Sequence, residues 1–228
     1  MRPGAVHLAL LALPLSLAGC LPAVASMATA RTLRPGEGQV WIAVEPPGEG
    51  AEPGKDATPR AGPLAQVQVG VREGVTPWWE AGLRFSPAGV EVEQKLQLVR
   101  SPIDVAGVDV ALAAGAGASI HALDEWDDVI ALRLRAELPI ALRLPDTSLI
   151  VVAPRALALR TLPAPDVALH PETALLVGAS AALFWRLGAA YLVPEVTALR
   201  TVSGPDATSP LHRDPLLVRF ALGFVVGG

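Results

Sequence analysis

The 228-residue chain has one cysteine, Cys20, and few aromatic residues, 4% of the total. A lone thiol closes no internal disulfide, so no disulfide framework stabilises this fold. The histidines are His7, His121, His170 and His212, and no two of them have the spacing of metal ligands. No metal or other cofactor is therefore expected. Net charge is −4 and no block of basic residues occurs, which gives nucleic-acid binding no support. After residue 20 no run of 18 or more apolar residues appears, so a membrane-spanning helix is absent from the reading. Yet 51% of the residues are hydrophobic and mean hydropathy is +0.43, high for a soluble domain. That hydrophobicity must be spread in short pieces.

Enzyme motifs are missing too. The segment Val177-Gly178-Ala179-Ser180-Ala181 lacks the second glycine of a nucleophile elbow and sits in an apparent strand. Gly115-Ala116-Gly117-Ala118 also falls in a strand, where small residues allow close packing and cradle no phosphate. The most enzyme-like cluster is His121, Asp124, Glu125, Asp127 and Asp128, with His170 and His212 on other loops. Acid plus histidine can activate a water, and carboxylates can hold calcium. A solvated acidic loop explains the same residues more simply, so no catalytic residue is assigned and the chain is not read as an enzyme.

The N-terminus carries a different signal. Arg2 is followed by an apolar stretch over 6–17, then by Leu17-Ala18-Gly19-Cys20. A basic start and a short apolar core read as a secretory signal, too short to span a bilayer. The four closing residues resemble a bacterial lipobox, in which small residues precede a cysteine. That resemblance implies cleavage after Gly19 and acylation of Cys20, which anchors the mature chain to membrane lipid. Leu21 stands where an aspartate would imply retention at the inner membrane.

Residues 20–37 are small, polar and bear Pro and Gly, and read as a periplasmic tether. Strict alternation begins after it. Over 129–144 the even positions Ile130, Leu132, Leu134, Leu138, Ile140 and Leu142 are apolar, whereas Arg133, Arg135, Glu137 and Arg143 are odd. Successive side chains of a strand point to opposite faces, so this segment has one apolar and one charged face. Over 89–99, Val90, Val92, Leu96 and Leu98 oppose Glu91, Glu93, Lys95 and Gln97. The pattern recurs over 65–72, 79–85, 108–120 and 216–226, and less cleanly over 39–45, 148–160, 173–185 and 190–202. This predicts about ten antiparallel strands, eight being possible. Long connections near 46–63, 121–128, 161–172 and 203–215 alternate with short ones, except for the short turn at Ser86-Pro87-Ala88.

Two architectures share this string. A soluble sandwich or lipocalin-like barrel turns the apolar faces inward. A transmembrane barrel turns them outward to lipid and keeps charge in the lumen. Strand lengths near ten residues suit a tilted bilayer crossing. The polar faces carry both signs, Glu80, Glu91, Glu93, Glu137 and Glu195 against Arg72, Arg84, Lys95, Arg133, Arg135 and Arg219, and charges away from bulk water need partners. An even strand count returns both termini to one rim. Against this stand a thin aromatic girdle (Trp41, Trp78, Trp79, Trp126, Trp185, Tyr191), a terminus that ends on Gly227-Gly228, and three prolines inside strands, Pro139, Pro154 and Pro194.

In pattern, residues 38–228 resemble a small bacterial outer-membrane β-barrel: all-β, up-and-down and antiparallel. The resemblance implies an outer-membrane location with both termini periplasmic, and the insertion machinery and membrane lipid as partners. The expected lumen is closed by the charge network of those eleven residues, for a structural, envelope or surface-interaction role. A narrow pore for small solutes, and a soluble lipid-tethered β-domain that binds a ligand, are the alternatives.

Overall fold

The structure, a computed structural model, describes residues 25–46, 66–86, 89–102, 106–122, 128–144, 148–162, 172–204 and 216–228; for 119–122 and 128–129 it describes the backbone alone. The strands are β1 (Gly38–Glu45), β2 (Gln66–Thr76), β3 (Trp79–Ser86), β4 (Gly89–Val99), β5 (Val108–Ala122), β6 (Asp128–Glu137), β7 (Ile140–Arg143), β8 (Leu149–Thr161), β9 (Thr173–Leu187), β10 (Ala190–Ser203) and β11 (Leu216–Gly227). Every pairing between these strands is antiparallel, and β1 pairs with β11, which closes the sheet. The fold is a closed up-and-down β-barrel of ten strands.

Ten strands arise from eleven segments because of Pro139. Both β6 and β7 lie between β5 and β8 in one continuous register: Ala113 faces Glu137 and Val110 faces Ile140. They are one barrel strand interrupted at Leu138-Pro139, which corrects the single uninterrupted strand expected over 129–144. Proline offers no N–H to the ladder. Pro194 has a similar effect. The β9–β10 ladder pairs Leu192 with Trp185 and Glu195 with Ala182, and skips the residues between. Pro154 keeps its pairing, and its carbonyl accepts from Leu138 N (3.0 Å).

Polarity is inverted relative to a soluble core. Outward positions are large and apolar: Val92, Leu134, Leu222 and Phe220 are exposed, the last by 62%. Inward positions are buried, and many are charged. The two faces predicted from alternation are both present, and closure places the charged one inside. On β8 the outward run from Ile150 to Ala158 is apolar or proline before Arg160. Eight steps at ~3.3 Å make this belt about 26 Å long along the strand.

The lumen wall is asymmetric. From β2 to β6 it is lined by ionic side chains. From β8 to β11 it is largely apolar, with Val151, Phe184, Val193 and Val225 toward the short-turn rim and Leu157, Leu159, Leu176 and Leu199 toward the other. The short turns include Pro77-Trp78 and Gly188-Ala189. Gly188 has φ +66, a conformation a two-residue hairpin demands and glycine adopts without strain.

Two expectations need correction. Residues 25–33, read as part of a tether, lie inside the barrel: Ala25, Ser26, Met27, Ala30, Thr32 and Leu33 are buried. Small polar residues with Pro and Gly indicate the absence of a strand or helix; they do not say where a segment lies. Trp41, read as part of an outer girdle, is fully buried in the lumen, with 0% exposure. It falls on the inward phase of β1, and Gly70 opposite leaves room for it: a Cβ there would overlap the indole. Tyr191 also turns inward and packs edge-on against Phe184, ring centroids 6.2 Å apart. Trp78 and Trp185 remain exposed at the short-turn rim.

Candidate functional site

The centre of the barrel is an ionic ladder built by alternation. β4 and β6 deliver charges at every second residue, β3 adds Glu80 and Arg84 and β2 adds Arg72, and register sets them side by side. Arg135 on β6 donates to Glu91 (2.8 Å) and Glu93 (2.8 Å) on β4 and pairs closely with Glu137 on its own strand. Arg72 Nε is 2.5 Å from Glu93. Lys95 Nζ is 2.6 Å from Glu80. Arg133 lies 3.2 Å from Glu91. Arg155 on β8 reaches across to Glu195 on β10 at 2.7 Å and also donates to Thr197 Oγ1 (3.0 Å).

All eleven residues predicted for the lumen face inward and are buried. Ten of them join the pairs above or Arg84's. Arg84 is only 2% exposed. Its Nη2 lies 3.6 Å from Glu93, and its guanidinium sits 5.3 Å from the centre of the Trp41 ring, with Arg72 at 5.4 Å. Two cations thus lie over the indole, an attraction between positive charge and the ring face. None of the three Arg84 nitrogens has a hydrogen-bond acceptor among the described residues. Arg219 stands apart on β11, and Glu45 is the carboxylate that acts on it.

Residues 25–33 form a strap that fills the lumen from the short-turn mouth to mid-height. Its outer end is fixed by Gly36 N donating to Gly74 O (2.9 Å) and Gly74 N to Glu37 O (3.0 Å). Thr32 Oγ1 donates to Pro77 O (3.0 Å) in the β2–β3 turn. Its inner end reaches Ala25, whose N–H donates to Glu45 (2.5 Å) at the far end of β1. Met27 and Ala30 pack on the apolar wall, and Met27 occupies the space a side chain at Gly223 would take. Met27 is the one described non-glycine residue with positive φ, at 48°. Ser26 Oγ donates to Glu137 (2.8 Å), tying the strap into the ladder.

A void of about 10 Å³ lies beside Ser26 among Arg72, Glu80, Lys95 and Arg135, room for about one water. The short-turn mouth is wider, a vestibule of about 740 Å³. There Asp109 takes Arg31 (3.0 Å) and Arg143 (2.9 Å). Arg100 donates to the Thr32 carbonyl at 2.6 Å. Burial and then the neighbouring Arg31 push its guanidinium below the usual arginine value. The arrangement pairs opposite charges around the strap.

Sequence reasoning missed Glu45, Arg155 and Asp109 as lumen charges, and the strap entirely. Arg155 was hidden because both faces of β8 are mostly apolar, which leaves the strand without a readable phase. The side chains of His121 and Asp128, and all of Cys20, Asp124, Glu125, Trp126, Asp127, His170 and His212, lie outside what the structure describes. Among the described residues no group of three or more His, Cys, Asp or Glu is arranged to hold a metal.

No protein-family model matches the chain, and no curated protein or solved structure shows significant similarity to it. Any functional reading therefore rests on the physics of the barrel.

Proposed function

We propose that this chain is an outer-membrane β-barrel lipoprotein with a closed lumen, serving envelope structure or surface interaction and performing no catalysis. The observation that carries the reading is the inversion of polarity in a closed barrel. Apolar side chains such as Leu134 (61% exposed) face outward, while the ionic ladder is buried. In water that arrangement exposes a broad apolar belt and hides charge, both costly. In a bilayer lipid covers the belt, closure leaves no unpaired sheet edge, and the buried charges offset their desolvation by pairing with one another. The belt of about 26 Å suits a tilted strand crossing. Short turns and the β11 terminus share one rim, which by the usual barrel pattern faces the periplasm. Membrane lipid and the insertion machinery are the partners, and no cofactor is invoked.

The lipobox-like Cys20 supplies the anchor. It lies five residues before Ala25, which is already inside the lumen. At ~3.5 Å per residue that reach is at most about 18 Å, so the acyl group and the strap are mechanically coupled.

The test uses a Cys20→Ser chain with its signal replaced, refolded in detergent and in plain buffer. The expected result is β-structure by circular dichroism only with detergent, and a gel shift between unheated and boiled samples. A β-rich monomer in buffer alone would overturn the proposal. Radiolabelled palmitate entering the unmodified chain and not the Cys20→Ser chain is expected for the anchor. Equal labelling of both would remove it.

A further inference from the structure

The lumen charges have two kinds of partner. Some pair with each other. Arg72, Glu80, Lys95 and Glu195 are directed at the main chain of the strap as well. On the donor side, Ala25 N–H goes to Glu45, Ser26 and Met27 N–H to Glu195 (3.2 and 3.1 Å), Thr32 N–H to Gln97 (2.7 Å) and Leu33 N–H to Glu80 (3.0 Å). On the acceptor side, Arg72 reaches the carbonyls of Ser26 (2.7 Å) and Met27 (2.8 Å). Lys95 reaches those of Thr29 (3.1 Å) and Arg31 (3.0 Å), and Arg100 that of Thr32. The barrel thus meets the strap's backbone with alternating acids and bases, as a neighbouring strand would meet it with carbonyls and amides.

We infer that the lumen is a binding site for extended polypeptide main chain with small side chains, and that residues 25–33 are its resident ligand, whose displacement opens a pore. This rests on the membrane-barrel reading and names what closes its lumen. Three features support it. All the contacts to the main chain except that of Gln97 are charge-assisted, the stronger class of hydrogen bond. The strap's side chains at positions 25, 26, 28 and 30 are Ala or Ser, so what fills the lumen is mainly backbone. The apolar cluster built from β1 and β7–β11 receives Met27 and Ala30, while the amides and carbonyls go to polar side chains of β1–β4 and β10 and to Arg100. The strap's apolar and polar groups thus meet apolar and polar side chains of the lumen respectively. Without the strap, five amides and five carbonyls would leave the ladder, and Glu45, Glu195, Gln97, Arg72 and Lys95 would face water-filled space.

Proline removes an N–H and keeps the carbonyl. The full-length chain carrying Ser26→Pro, Met27→Pro and Leu33→Pro loses three of those donors, and proline's fixed negative φ cannot match the positive φ at Met27. Planar-bilayer recordings then compare it with the unmodified chain. The unmodified chain is expected to be silent. The triple variant is expected to conduct, with open probability at least about tenfold higher, since one lost charge-assisted bond shifts an equilibrium by roughly that factor. A synthetic peptide of residues 25–34 should block it, and the same peptide N-methylated at positions 26, 27 and 33 should not. A folded, inserted triple variant that stays silent would overturn the inference, as would equal block by the methylated peptide. Hydrogen exchange on the unmodified chain gives a second reading, free of any variant. The amides of Ser26, Met27 and Leu33 should be protected although they lie outside every strand, and immediate exchange would overturn the inference. Failure of the chain to need detergent would instead count against the membrane reading, so the two failures are distinct.

Discussion

Arg135 is the most connected cation of the ladder, and Arg135→Met offers a quantitative test of how dry that ladder is. The substitution keeps an unbranched side chain of similar reach and removes the charge. Three carboxylates lose a partner, but unequally. Glu93 keeps Arg72 at 2.5 Å, Glu91 keeps Arg133 at 3.2 Å, and Glu137 keeps only Arg155 at 3.5 Å and Ser26. Breaking a buried pair by removing one partner costs about 3–5 kcal/mol, because the other charge stays buried. With a urea dependence of about 2 kcal/mol per molar, the unfolding midpoint in detergent micelles should fall by about 2 M. Tryptophan fluorescence reports it, since Trp41 lies within the ladder. Adding Glu137→Gln should recover about 1 kcal/mol or more, because the two sites share one network. A midpoint shift below about 0.5 M would refute the reasoning: the freed carboxylates would then be reaching water, and the lumen would be hydrated instead of packed.

Other consequences are simpler to check. Leu134→Arg places a charge on the outer face level with Arg133 and Arg135, and should cost about 2–4 kcal/mol in vesicle unfolding; an unchanged stability would mean that lipid does not cover this face. Gly70→Leu drives a side chain into the Trp41 indole and should cost about 1–3 kcal/mol by overpacking, with loss of the near-ultraviolet dichroism of Trp41; retention of that signal at full stability would show that Trp41 is free to move. Raising sodium chloride to about 1 M should leave the unfolding midpoint nearly unchanged, since buried pairs escape screening, and a marked fall would place the ladder in contact with solvent.

Several parts of this protein are legible in the order of its residues. Alternation in β4 separates Val90, Val92 and Leu96 from Glu91, Glu93 and Lys95, because side chains of a strand leave on opposite sides every second residue. The count of about ten, the approximate extent of most strands and eleven members of the charge face follow from that period and from the Gly, Pro and Asp clusters between runs, although β2 runs on to Thr76, beyond the expected end at Arg72. Where both faces are apolar, as on β8, the period is silent, and Arg155 is lost with it. Alternation also assigns residues to faces without saying which face is inside.

What the amino-acid order determined, then, is local: period-two patterning, turns, the lone Cys20, and the absence of metal or helical-membrane signals. What only the tertiary structure decided is non-local. Pairing of β1 with β11 closes the sheet and thereby puts the charged faces in a lumen. The register of β1, β2 and β3 sets Trp41 beside Arg72 and Arg84. Closure also turns residues 25–33 into a plug, because the partners of their amides and carbonyls come from β1, β2, β3, β4 and β10 and from Arg100 just beyond β4. Backbone groups carry no sequence signal of their own, so a segment recognised through its main chain can be found only once the fold has assembled the side chains that bind it.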